Sequence, residues 1–390
     1  MSPPALSRRT VRTAEASRTA EAGTADAAKT ADPPSGAQPE PRKPLDSPMA
    51  LVTACAVLLV VLLLSVVVAI GLGSAVIGPA DTARYLWAAL TGGHIDADEV
   101  TTYQIIWQIR APRVVLAALV GAGLSAVGVA IQAMVRNALA DPFVLGVSSG
   151  ASVGAVGVTV TGSLAALGVY AVATGAFLGA VIAAFLVYVA SVTRGALSPL
   201  RLVLTGVAMS LGFQAVMSVI IYFAPDSEAT SMVLYWTMGS FGAATWGQLP
   251  VVAVSVLLGL AVLYRCSRAL DVMALGDETA ASLGIDPDRH RRALLVLVSL
   301  MTGVMVAVSG AISFVGLVMP HLVRMVVGAT HARVLAVAPL VGAVFMVWVD
   351  LLSRILVAPR ELPLGVITAL VGVPVFIGLM RRKGYVFGGR

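Results

Sequence analysis

Charge is scarce in this chain. Of its 390 residues only 12% are Asp, Glu, Lys or Arg, about half the share found in soluble globular domains, so a set of water-facing domains is excluded. Lysine is rarest, at Lys29, Lys43 and Lys383. Gly23 to Thr30 reads Gly-Thr-Ala-Asp-Ala-Ala-Lys-Thr, one glycine short of a phosphate-binding loop and set in a polar tail. A nucleotide site needs that loop between a strand and a helix, so the chain is not expected to bind ATP itself. Aromatics make up 6%, too few for the aromatic girdles of a membrane β-barrel. The two cysteines, Cys55 and Cys266, fall in no Cys-x-x-Cys or Cys/His spacing, which leaves neither a disulfide framework nor a zinc site.

What fills the chain instead is Ala, Val, Leu and 38 glycines, with 58% of residues hydrophobic and a mean hydropathy of +0.93. Small residues suit close helix packing in lipid. The apolar material begins after Pro48. Residues 1–47 are Ala, Thr, Arg, Ser and Pro with six acids; they cannot bury enough apolar surface to offset ordering entropy, and read as a disordered cytoplasmic tail. The acids argue against an organelle transit peptide, and the first apolar run is too long and too far in for a secretory signal.

At about 20 residues per crossing, residues 48–390 hold ten helices. They lie near 50–72, 114–135, 143–161, 166–190, 202–223, 248–264, 293–309, 315–328, 335–352 and 364–380. The fold class is therefore all-α, a polytopic membrane protein. Asp81 to Leu90 is amphipathic and reads as an interfacial helix. With the tail inside, twenty of the 26 lysines and arginines fall on the inner side and five on the outer, which puts both termini in the cytoplasm of a cell-membrane protein. The net charge of +6 is a topology signal, and no basic cluster is interleaved with aromatics for nucleic acid.

Two strings imitate catalysis. Gly146-Val-Ser148-Ser-Gly150 matches a nucleophile elbow, which needs a preceding strand and an activating His and acid; here it opens an apolar helix, and Gly146, Gly150 and Gly154 recur every four residues as a helix-contact face. Gly121-Ala-Gly123 imitates a dinucleotide fingerprint but lies mid-helix. His321 follows Pro320 in an apolar run and is read as a neutral imidazole bonded to a carbonyl that the proline frees.

Three constellations ask for more than packing. Arg110-Ala-Pro-Arg113 opens the second span on the outer side, against the positive-inside bias; docking to carboxylates and snorkelling to lipid phosphate both fit. Asp350 and Arg354 are four apart on one helix face, the spacing of an intrahelical ion pair. The loop 265–292 is the longest polar interval among the helices. In it Leu275, Gly276, Asp277, Glu278, Thr279 and Ala280, followed by Leu283 and Gly284, read as short helices stopped by glycine. Leu270, Met273, Leu275 and Leu283 would then be presented to water as a docking surface for another protein.

With the strings between them, these pieces resemble the permease subunits of the iron-complex and vitamin B12 ABC importers, the FecCD type. The matching strings are Arg110 to Arg113, Gln132 to Pro142, Leu145 to Ala151, Leu204 to Ala208, Tyr235 to Gly242, Ala274 to Gly284, Gly310 to Arg324, Asp350 to Arg354 and Glu361 to Gly365. Asn137-Ala138-Leu139-Ala140 stands where the family most often has Asn-Pro-Leu-Ala. The resemblance implies the type II importer permease architecture and a set of partners. These are a second permease (identical or paralogous), two cytoplasmic ATPase subunits that carry ATP and magnesium, and an extracytoplasmic binding protein. It also implies docking of the binding protein on Arg110, Arg113 and Arg354, and ATPase coupling through Leu275 to Ala280, Leu283 and Gly284. No cofactor or metal is expected in this chain. The expected cargo is a ferric siderophore, with cobalamin or haem as alternatives. An ion-coupled carrier would need buried midplane acids, and an intramembrane enzyme convergent catalytic groups within its spans.

Overall fold

A computed structural model describes residues 47–73, 77–193, 196–224, 233 and 236–381. The tail expected to be disordered lies outside these residues, apart from Ser47.

Helix α1 (Pro48–Gly71) starts where Ser47 Oγ accepts from the Ala50 N–H at 3.1 Å, with Pro48 in the first turn; side chain and proline both suit a helix start. A short amphipathic helix, α2 (Pro79–Thr91), follows and ends on Gly92 in the left-handed region. It matches the interfacial helix expected at Asp81–Leu90. Then come α3 (Val100–Met134), α4 (Val147–Thr161), α5 (Ala171–Ser191) and α6 (Pro199–Tyr222). A two-rung antiparallel ladder, β1 (Val192–Thr193) with β2 (Ala196–Leu197), joins α5 to α6. Helix α7 (Leu249–Arg265) is bent by 58° from α8 (Ser267–Ala274). The remainder is α9 (Asp277–Ser282), α10 (Pro287–Ser309), α11 (Val315–Val327), α12 (His331–Ile355) and α13 (Leu364–Arg381).

Each of the ten apolar runs is helical. Six helices are long and apolar enough to cross a bilayer alone, α7 with α8 makes a seventh, and α4, α11 and α13 are shorter apolar helices. The second run differs most from expectation. Helix α3 begins at Val100 rather than 114, and passes through a π-helical stretch at Ile105–Arg110 before Arg113. Thr101, Thr102, Gln104 and Gln108 lower the hydropathy there without breaking the helix.

Helix α3 is the axis of the fold. It packs on α7, α10, α11 and α12, while α4 pairs with α5, and α12 with α1. Glycine sets these distances. A methyl built on Gly128 would lie 1.9 Å from Gly316 O, and one on Gly121 2.2 Å from Gly342 O. On α4 two of the three glycines of the expected face are in place: Gly150 and Gly154 meet Gly179 and Gly175 of α5 backbone to backbone, whereas Gly146 precedes the helix with φ +73° and lies nearest Gly206 O of α6. Backbone cannot swing aside as a side chain can, so Gly128→Ala should cost about 3 kcal/mol, the upper range for overpacking. Gly212→Ala on α6, where nothing lies within 4 Å, should be silent. Thermal loss of monodisperse protein in detergent measures both; equal stability of the two variants would contradict this packing.

Candidate functional site

The three arginines at the second and ninth expected spans converge. Helix α1 ends at Gly71 with carbonyls that have no partner within the helix, as every helix C-terminus does. Arg110 Nη1 donates to Ile70 O at 3.1 Å and Gly71 O at 2.9 Å. Arg354 Nη2 donates to Ala69 O at 2.8 Å, and its Nη1 to Leu72 O at 3.0 Å. Two cations thus cap one helix end, where the helix dipole also favours positive charge. A methyl on Gly73 would lie 2.6 Å from Arg110 Nη2 and would push that guanidinium from its place.

Arg113 holds the acids. Its Nε donates to Asp350 Oδ1 at 2.7 Å and its Nη1 to Glu361 Oε1 at 2.8 Å. Asp350 Oδ2 accepts from Arg354 Nε at 3.1 Å, so the intrahelical pair expected from the i, i+4 spacing is one edge of a larger network. Asp350 is fully buried, and Arg110, Arg113 and Arg354 are 6%, 5% and 8% exposed. Glu361 is the open member, with its side chain one-third exposed (33%). Arg113 Nη2 is buried without a hydrogen-bond partner among the described residues. Three guanidiniums against two carboxylates leave a surplus positive charge within this cluster.

The opposite end of α3, about 30 Å from Arg113 at 1.5 Å per residue, carries the second constellation. Helix α8 stops at Gly276, φ +119°, and α9 stops before Gly284, φ +80°; glycine accepts both left-handed backbones without strain. Leu275 and Leu283 are 67% and 61% exposed, but Leu270 and Met273 are buried. The expected four-residue apolar surface is thus two residues. The other two form the inner face of the amphipathic α8, which packs on α3 and α12; a loop read without its neighbours cannot reveal that face. Glu278, Thr279 and Gly284 are exposed, Asp277 and Gly276 half-buried, and Ala280 is buried beneath α9.

One residue seats this short helix, and the sequence reading passed it over. Arg291 of α10 is 1% exposed. Its Nη2 donates to Asp277 Oδ1 at 2.8 Å, its Nη1 to Leu197 O at 2.7 Å and to Asp288 Oδ1 at 3.4 Å, and its Nε to Met134 O at 3.4 Å. It thereby ties α9, β2, α10 and the end of α3 together. The available signal was its place among Arg289, Arg291 and Arg292, where one arginine in three must face inward on a helix. Asp286 caps the same helix by accepting from the Arg289 N–H at 3.0 Å, a bond that holds its carboxyl below the usual carboxylate range. His331 adds a second tie, its ring and backbone nitrogens meeting Asp271 Oδ1 at 2.6 and 2.9 Å.

The catalytic imitations stay apart from any such convergence. Ser148 is buried on α4. Arg324 of α11 donates to Gln132 Oε1, whose amide reaches Gly316 O and Leu317 O, a link between α3 and α11. Among the described residues no group of three His, Cys, Asp or Glu could hold a metal ion. An apolar cavity of about 640 Å³ opens beside α13, lined by Phe143, Met238, Ser313, Val366, Leu370 and Val373 among others.

Residues 58–382 match the model of the FecCD transport family. A cobalamin import system permease protein of Halobacterium salinarum is 38% identical over 221 residues, 57% of this chain and 59% of the relative. A hemin transport system permease protein of Yersinia pestis is 38% identical over 218 residues, 56% of this chain and 64% of the relative. The matched stretch thus spans about three-fifths of these relatives. A solved ABC transporter described as of metal-chelate type, in an inward-facing conformation, superposes with a TM-score of 0.73 at 32% identity, covering 84% of this chain and 99% of that one.

Proposed function

Because the chain belongs to the FecCD transport family, we propose that it is the transmembrane permease of an ABC importer that carries a ferric siderophore into the cytoplasm. The observation that carries this reading is the near-complete superposition on the metal-chelate type transporter chain. The ATP and magnesium belong to two separate cytoplasmic ATPase subunits, and a second permease completes the path. The apolar lining beside α13 suits a low-affinity passage, since alternating access needs differential affinity between states rather than a tight site.

In this reading both termini and α9 face the cytoplasm, and the Arg113 end faces out. Arg110, Arg113 and Arg354 are proposed as the seat of the extracytoplasmic binding protein. The surplus charge of the cluster favours an acidic partner, and a carboxylate from that partner competes with the partly exposed Glu361 for Arg113. Leu275 to Ala280, with Leu283 and Gly284, are proposed as the ATPase coupling surface. Leu275 and Leu283 stand out toward the partner, and Gly276 and Gly284 set the turn.

Since Leu275 and Leu283 are exposed, they can be changed without touching the core. The double variant Leu275→Glu/Leu283→Glu should reach the membrane at wild-type yield and lose at least tenfold in copurified ATPase. Stoichiometric ATPase on that variant would remove the coupling assignment.

A further inference from the structure

Helices α5 and α10 leave a groove between them that neither the docking nor the coupling role uses. Its volume is about 420 Å³, and its walls are Val181, Phe185, Tyr188, Leu295, Val296 and Leu300 with smaller residues between. Phe185 and Val296 are well exposed, so the groove opens on the outside of the helical bundle. It runs along the axes of two helices long and apolar enough to cross a bilayer, where an acyl chain would lie.

The mouth of the groove is polar and positive. Arg292 lies there, exposed, with its Nε held by Asp288 O at 3.2 Å. Asp288 Oδ1 takes Arg291 Nη1 and the Leu197 N–H, and Asp286, which accepts the Arg289 N–H, is the carboxylate nearest in effect to Arg292. Arg289 is exposed on the same turn. Tyr188 stands one turn from the end of α5 at the same level, the place where tyrosine marks a membrane–water boundary. An apolar slot within the hydrocarbon layer, closed at the boundary by an exposed arginine, has the charge complement of a lipid phosphate.

We propose that the α5–α10 groove is a binding site for one anionic phospholipid, its acyl chain against Phe185 and Val296 and its phosphate on Arg292. The proposal draws on the orientation proposed above for one point, that the lipid comes from the cytoplasmic leaflet. Lipid retention by the purified chain is read without transport, so its failure is separable from failure of the importer reading.

The test is native mass spectrometry of the full-length chain exchanged into equimolar phosphatidylglycerol and phosphatidylcholine. The wild type should retain one phosphatidylglycerol with a preference of about fivefold, the factor that one arginine near the membrane surface supplies. Arg292→Gln should abolish that preference, whereas Arg268→Gln, an exposed arginine outside the groove, should keep it. Ala184→Phe, which fills the slot, should lose the retained lipid of either kind. Equal retention of the two lipids by the wild type would overturn the proposal, as would an undiminished preference in Arg292→Gln.

Discussion

Replacing Arg113 with methionine should cost the fold about 3–5 kcal/mol, the range for removing one partner of a buried ion pair. Asp350 is completely buried and would keep a single cation in the network, Arg354, while Glu361 would lose its 2.8 Å bond from Arg113. Arg113→Lys should recover little. A lysine is a point charge and cannot reproduce the fork that meets Asp350 at 2.7 Å and Glu361 at 2.8 Å on separate nitrogens. The double variant Arg113→Met/Asp350→Leu should regain much of the loss, because it removes the stranded charge along with its partner. Thermal denaturation in detergent reads all three. A single Arg113→Met variant as stable as the wild type would mean that the cluster holds nothing together. The same arithmetic governs tests of docking. Reversing Arg110 uncaps the end of α1 and reversing Arg113 strands Asp350, so loss of uptake in such variants is interpretable only beside a measured melting temperature.

Arg291→Leu should have the second large effect, at the other end of α3. It leaves Leu197 O and Met134 O without their Arg291 donor and takes the 2.8 Å bond from Asp277, for a cost of about 3 kcal/mol on the usual penalty for unsatisfied buried groups. Stability is the smaller part. Asp277 would keep only the longer contact to Arg136, at 4.0 Å, so α9 would be seated more loosely. Uptake should fall at least tenfold, while the ATPase activity of the assembled complex becomes insensitive to loaded binding protein. Asp277→Asn keeps a hydrogen-bond acceptor and should show a milder form of the same uncoupling at near-normal stability. If Arg291→Leu loses stability but keeps full stimulation of the ATPase, the residue is a brace for the fold and does not position the coupling helix.

The hydropathy runs located all ten apolar helices because run length and bilayer thickness are the same quantity. The Gly150 and Gly154 spacing foretold the close pairing of α4 with α5, although Gly146 precedes the helix, and the Asp350–Arg354 spacing foretold its ion pair; both follow from the helical repeat alone. What stayed hidden is long-range. The partner of Arg113 is 237 residues away, and Arg354 caps a helix 285 residues upstream of it. No local pattern says which arginine at a helix mouth turns inward to satisfy carbonyls and which turns outward to a partner. The early start of α3 was masked by polar residues that a helix tolerates. Leu270 and Met273 looked like a docking surface because the helices covering them, α3 and α12, are not adjacent in sequence.

The central claim, import of a ferric siderophore, is tested most directly by uptake of radiolabelled iron as its siderophore complex in cells with and without this chain. Deletion should abolish that uptake, and the wild-type chain should restore it where Leu275→Glu/Leu283→Glu does not. Unchanged siderophore-iron uptake on deletion would contradict the account of the cargo. If labelled cobalamin or haem uptake then failed instead, the importer would stand with a different substrate.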